Sequence, residues 1–263
     1  MDQRLSGAYA KLDRADAHIK CLNDAFQGFL KERPYRVVTE VDEETGECVL
    51  RGQVLKRPPV LNWGVQIGEC VHNLRSALDL LAWQLALLAG EEPPDNTAFP
   101  IFCDRDKYVD LVKESKRSVV RGLPLRAQER IDGFQPCIRR EPPWADPLWI
   151  VHRLANDDKH RVLHVGQVAA FSVGYTADAL FDGPIEAASA ATLRHRFFDD
   201  DTELERLPAT VDCADLANKM SVAFVIAFDK EGPALGDRLI LELERCRDAV
   251  REVFPDFLDF FDG

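Results

Sequence analysis

What this chain lacks narrows its reading first. It carries seven cysteines among 263 residues but no Cys-x-x-Cys pair. An odd set without paired spacing predicts reduced, mostly buried thiols in place of a disulfide framework or a zinc knuckle. Positive charge is in short supply, with 33 Lys and Arg against 45 Asp and Glu and a formal net charge of -12. That balance excludes wholesale binding along a phosphate backbone and leaves only local basic patches, such as Arg194-His195-Arg196. Long uncharged apolar runs are missing, and the opening Met1-Asp2-Gln3-Arg4-Leu5-Ser6 has no apolar core of a secretion signal. A cytoplasmic protein with no membrane partner is expected. Also missing are Gly-x-Gly-x-x-Gly, a phosphate loop ending in Gly-Lys-Ser/Thr, His-Glu-x-x-His and Gly-x-Ser-x-Gly. These absences disfavour nucleotide-driven and hydrolase-fold chemistry, and no cofactor is expected.

What is present is helical period and apolar mass, 46% of the chain and enough for a full core. Leu5, Ala8, Leu12, Ala15, Ile19, Leu22, Phe26 and Phe29 recur at three- and four-residue steps, predicting a helix over about 4–31. Pro34 stops it, and residues 35–57 alternate around Asp42-Glu43-Glu44-Thr45-Gly46, which reads as a hairpin. A second seam, Ile67, Val71, Leu74, Leu78, Leu81, Leu85 and Leu88, predicts a central helix over about 61–90. Residues 91–146 are proline-rich and read as a connector folded over the helices. Asp146-Pro147 offers an N-cap and a first-turn proline for a helix over about 147–164. The stretch 165–229 is rich in β-formers, and Ser221 to Phe228, apolar on both faces, reads as an interior strand. Leu239, Leu243, Cys246, Val250 and Val253 mark a last helix over about 234–254. The expectation is a single α+β domain, a four-helix bundle with a small inserted or packed antiparallel β-sheet.

Two charged, histidine-bearing stretches interrupt these helices, Glu69 to Asp79 and Arg153 to Arg161. Ionisable groups beside core positions are costly unless paired or functional, so each stretch is either a polar lock or a site. At about 100° per residue, Arg153, Asn156 and His160 share one stripe opposite Val151, Leu154 and Val162. Glu69, His72, Ser76, Asp79 and Trp83 share another. If the stripes meet, Glu69 or Asp79 would orient an imidazole. Trp144 and Trp149 around Pro147 read either as core anchors or as a ligand-stacking pair.

The spacing Arg153-x6-His160 resembles the helical Arg-x(4 to 6)-His signature of the HEPN family, helical bundles that often act as dimeric, metal-independent endoribonucleases. The family's usual polar residue after the arginine is here Leu154. The segments His72 to Asp79 and Asp158 to Arg161 also look like a set of bacterial proteins to which no activity attaches. The HEPN resemblance implies RNA as partner and a homodimer. His160 would transfer the proton, Arg153 would stabilise the phosphorane charge and Asn156 would position the phosphate, with Glu69, His72, Asp79 and Asp157 in support.

Two other classes stand beside that expectation. In one, the stripes are structural locks in a non-catalytic interaction or ligand-binding protein. In the other, Glu69-x-x-His72 and Asp157-x-x-His160 hold metal with Asp13 or Asp16 and with Glu242 or Glu244.

Overall fold

The computed structural model describes residues 2–90, 92–159, 200–210, 212–214 and 239–262 in full, and 165–171, 194–197 and 223–228 as backbone. Its contacts divide the chain into two compact units. The first takes residues 1–23, 61–163 and 239–263; the second takes 24–60 and 164–238. The fold class is α+β.

The first helix, α1 (Ser6–Lys31), follows a short 3-10 turn capped by Asp2, whose carboxylate accepts from Arg4 N. All eight residues of its predicted stripe are buried. Helix α2 (Val60–Leu87) buries Ile67, Val71, Leu74, Leu78, Leu81 and Leu85 completely, and the chain leaves it through Gly90 at φ 84°. That left-handed angle is one glycine adopts without a Cβ clash. The connector forms three short helices, α3 (Arg105–Tyr108), α4 (Leu125–Asp132) and α5 (Pro136–Arg139), with a π-helical turn at Val109–Glu114.

Helix α6 (Pro147–Asp158) starts as expected, with Asp146 accepting from Leu148 N at 2.8 Å. It ends at Asp158; the predicted continuation to 164 lies outside the described residues. Helix α7 (Leu239–Val253) buries the whole predicted stripe and runs into a 3-10 segment that plants Phe254 and Phe257 in the core.

Contacts link these four helices in a ring. Gly7 lies against Leu80 and Cys70 Sγ reaches Ala15 O, joining α1 to α2. Asp158 lies on Gly68, joining α6 to α2. Cys246 Sγ reaches Pro147 O, and Arg247 and Arg251 reach Asp16, joining α7 to α6 and to α1.

In the second unit, β1 (Tyr35–Val41) pairs antiparallel with β2 (Cys48–Val54) from Tyr35 opposite Val54 to Val41 opposite Cys48. Asp42 shapes the hairpin by accepting from Glu44 N and Thr45 N, and Gly46 takes φ 73°. A second sheet joins β3 (Val165–Phe171), β4 (Arg194–Phe197) and β6 (Ala223–Phe228), while β5 (Thr202–Leu207) pairs with β2 in the first. Two expectations are corrected here. Strand β6 is an edge of the order β4-β3-β6 among the described strands, and β3 is central. Apolar faces reflect what covers a strand; they do not count its backbone neighbours. The cysteines are not all thiols either, because Cys48 and Cys213, 165 residues apart in sequence, form a disulfide. Chain folding supplies that proximity, and no short spacing announces it. No described helix is long and apolar enough to cross a membrane.

Candidate functional site

The connector builds a candidate site. Residues 98–104 run as a strap whose backbone is tied on three sides. Ala98 N donates to Val119 O, and Phe99 N donates to Asp79 Oδ1 at 3.0 Å. Gln135, fully buried, accepts from Phe102 N and donates to Pro100 O and Ile131 O. A buried amide with its bonds made is a rigid fastener.

Between this strap, α2 and α6 lies a cavity of about 460 Å³. Phe99, Ile101, Phe102 and Val119 supply apolar lining, and Arg75, Trp149 and His152 supply polar and aromatic groups. Asp104 and Lys107, 3.9 Å apart and exposed, add charge. A volume of this size and lining suits a small organic molecule.

Arg75 holds the strap. Its Nε and Nη2 grip Asp79 at 3.1 and 2.6 Å, and Nη2 also donates to Phe99 O. The guanidinium carries five N–H donors in a fixed fork. Its last nitrogen, Nη1, is buried with no acceptor among the described residues. An unmade bond to a buried charged donor costs about 1–3 kcal/mol or more, so this nitrogen calls for an acceptor.

His152 stands on the same cavity, stacked on Trp149 with centroids 5.3 Å apart. Burial, reinforced by the positive charge of Arg75 and Lys159, brings its pKa down to about 4. It is therefore neutral near pH 7. Lys159 Nζ donates to Asn156 Oδ1 at 3.3 Å, which turns Asn156 Nδ2 toward His152 Nε2 at 3.0 Å. Nε2 then accepts, and the ring proton sits on Nδ1. The cavity thus sets an apolar wall beside a guanidinium and a neutral imidazole. An imidazole this weakly basic is a poor general base at neutral pH.

The sequence-predicted residues are distributed as follows. Asp79 serves Arg75 and the strap. Asn156 fixes the His152 tautomer. Arg153 is 45% exposed and lies 4.0 Å from Asp157, one helical turn on. His160 lies outside the described residues, as do Arg161 and Val162. Glu69 and His72 line a second, smaller hollow of about 240 Å³ with Val65, Gly68 and Asp158. There Glu69 faces His18 Nδ1 at 3.6 Å, and burial raises the Asp158 pKa, with Glu69 adding to the rise. A Cβ on Gly68 would stand 2.1 Å from Asp158 Oδ1, so the carboxyl sits where a side chain would be.

Helix α6 reaches the polar stripe of α2 through Asp158, which lies outside its own predicted stripe, while among the described residues Arg153, Asn156 and Asp157 make no hydrogen bond or ion pair with Glu69, His72 or Asp79. No group of three His, Cys, Asp or Glu among the described residues is placed to hold a metal ion. Of the carboxylates considered for that role, Asp16 is engaged with Arg247 and Arg251 and Glu242 with Arg245. Trp144 is 62% exposed and anchors no core, whereas Trp149 stacks at the cavity.

Sequence reasoning missed His152, Asp158 and the open valence of Arg75. The i, i+3 and i, i+4 steps Trp149-His152-Asn156 were a usable signal for the first. The chain matches no protein-family model, no curated protein and no solved structure.

Proposed function

We propose that this protein is a ligand-binding protein whose helical unit takes a small organic carboxylate, an apolar body carrying one anionic group, into the Arg75–His152 cavity. The observation that carries the reading is the mainly apolar space lined by Arg75, whose Nη1 is buried and without an acceptor among the described residues, together with Trp149 and His152. A carboxylate there would complete the guanidinium fork, accept from His152 Nδ1 and rest its body against Trp149 and Phe99. Asp79 keeps the guanidinium in place and balances its charge before a ligand arrives.

The test compares 3-phenylpropionate with 3-phenylpropanamide, which share shape and differ in charge. Trp149 fluorescence and thermal shift are expected to respond to the acid, with the amide weaker by about tenfold or more. Equal responses to both, or none to either, would remove the anion from the reading.

A second reading is the HEPN-like endoribonuclease, metal-independent and dimeric, acting on RNA through Arg153, Asn156 and His160. What favours it is the exposed guanidinium of Arg153, a group open to a phosphate on the helix that leads to His160. It also places the chain in the cytoplasm, where Cys48 and Cys213 would be kept as thiols. RNA cleavage in excess EDTA by the native protein, lost in both Arg153→Ala and His160→Ala, is its expected outcome; equal cleavage by all three discards it.

A further inference from the structure

In this acid-rich chain many described cations have found carboxylates. Arg126 and Arg130 hold Asp259, Arg247 and Arg251 share Asp16, and Arg206 lies among Asp42, Glu47 and Glu203. Lys116, Arg117 and Arg121 belong to the remainder and are gathered in one place. All three are exposed, none has a carboxylate partner among the described residues, and together they line a pocket of about 710 Å³. Against them the same lining sets one acid, Glu92.

The segment that carries these cations is fixed. Asn96 Nδ2 donates to Arg117 O at 2.9 Å, and Arg121 Nη1 donates to Lys116 O at 3.0 Å. Ser118 is buried and its Oγ accepts from Val120 N. At Gly122 the backbone lies so close to Pro94 that a Cβ would stand 2.8 Å from the proline ring. Like charges held together without counter-charge repel one another, and a fixed backbone keeps them from drifting apart. Such an arrangement is stabilised by a multivalent anion.

We propose that this pocket binds a small polyphosphate, a ligand with two or three linked phosphate groups. Three cations against one carboxylate leave room for more than one negative charge. The free edge of Arg121, its Nε and Nη2, offers the planar pair of donors that phosphate oxygens accept, while Lys116 acts as a point charge. Inorganic polyphosphate and a nucleoside triphosphate present the same phosphate chain, and the volume admits either. The site shares no lining residue with the Arg75 cavity, so the two proposals stand or fall separately.

Calorimetric titration with sodium tripolyphosphate and with adenosine triphosphate, both without added metal, tests this. Tripolyphosphate is expected to bind, and raising salt from about 50 to about 200 mM to weaken it several-fold. The triple variant Lys116→Gln, Arg117→Gln, Arg121→Gln is expected to lose about tenfold or more in affinity. Its substitutions fall on exposed side chains, and an unchanged far-ultraviolet spectrum and melting temperature verify its fold. A second triple variant, Arg57→Gln, Arg105→Gln, Arg140→Gln, makes the same net-charge change elsewhere and is expected to keep the native affinity. Equal binding of the two anions assigns recognition to the phosphate chain, and tighter binding of the nucleotide adds a nucleoside contact; both support the site. No heat with either anion, equal losses in the two triple variants, or tighter binding of single-stranded RNA than of tripolyphosphate would overturn it.

Discussion

At the residue scale, His152 converts burial into pH dependence. Its pKa falls from the ordinary 6.5 to about 4 because burial and nearby cations oppose the imidazolium. In the unfolded chain the ring protonates near pH 6.5, so the unfolded state binds the extra proton first as pH drops. Stability from this residue is complete above pH 6.5 and is lost between 6.5 and about 4. The loss amounts to about 2–3 kcal/mol between pH 7 and about pH 4.5. Urea unfolding at both pH values should show that slope, and His152→Gln should flatten it. His18, whose pKa burial also lowers, leaves part of the slope in the variant.

Gly68 poses a different balance. Alanine gains about 1 kcal/mol of helix propensity, yet its Cβ would displace the Asp158 carboxyl. The carboxyl ends a short side chain that would turn outward in the variant, so the expected change in stability is within about 1 kcal/mol of zero. What should move is the Asp158 titration, back toward the ordinary aspartate range, read from its carboxyl carbon by nuclear magnetic resonance. An unmoved titration would mean that something other than contact with α2 buries the group.

At the scale of elements, α6 depends on one carboxylate. Asp146 is 1% exposed, caps the helix through Leu148 N and takes two bonds from Arg139 at 2.7 and 2.9 Å. Removing it leaves an open helix start and a guanidinium without its partner. Asp146→Ala should cost about 2–4 kcal/mol by chemical denaturation, while Asp146→Asn, which preserves the cap, should cost roughly half as much. Asp146-Pro147 was legible as a helix start because capping is local chemistry. The stripes of α1, α2 and α7 were legible for a related reason, since a 3.6-residue period written in apolar side chains needs no knowledge of the partner. The cavity was not legible. Its walls come from residues 75, 98–104, 107, 119, 149 and 152, and the proline-rich connector that supplies the strap has no period to betray its path. The Asp158 contact was hidden likewise, because a glycine that admits a carboxyl looks, in sequence, like any helical glycine.

For the molecule as a whole, the disulfide is the feature furthest from sequence logic and the one with the clearest energetic consequence. Seven cysteines without paired spacing argued for thiols, and five remain free. Cys48 and Cys213 meet only because β2 lies between β1 and β5, which brings the segment after β5 back beside the hairpin; there Thr39 Oγ1 also donates to Cys213 O. A link across 165 residues removes more freedom from the unfolded chain than a short loop would. The chain-entropy relation gives about 5 kcal/mol for such a loop, and measured bonds commonly deliver about 2–5. Mass analysis after alkylation in denaturant without reductant should show five labelled cysteines, and after full reduction all seven. The four tryptophans, Trp63, Trp83, Trp144 and Trp149, all belong to the helical unit, so their fluorescence does not read the sheet. Amide hydrogen exchange in β1, β2 and β5 does. Cys48→Ser with Cys213→Ser should speed exchange there by an amount equivalent to about 2–5 kcal/mol. Unchanged protection in these strands would mean that the hairpin, the Leu50 and Leu204 core and the Arg206 ion pairs already hold this sheet without the covalent link.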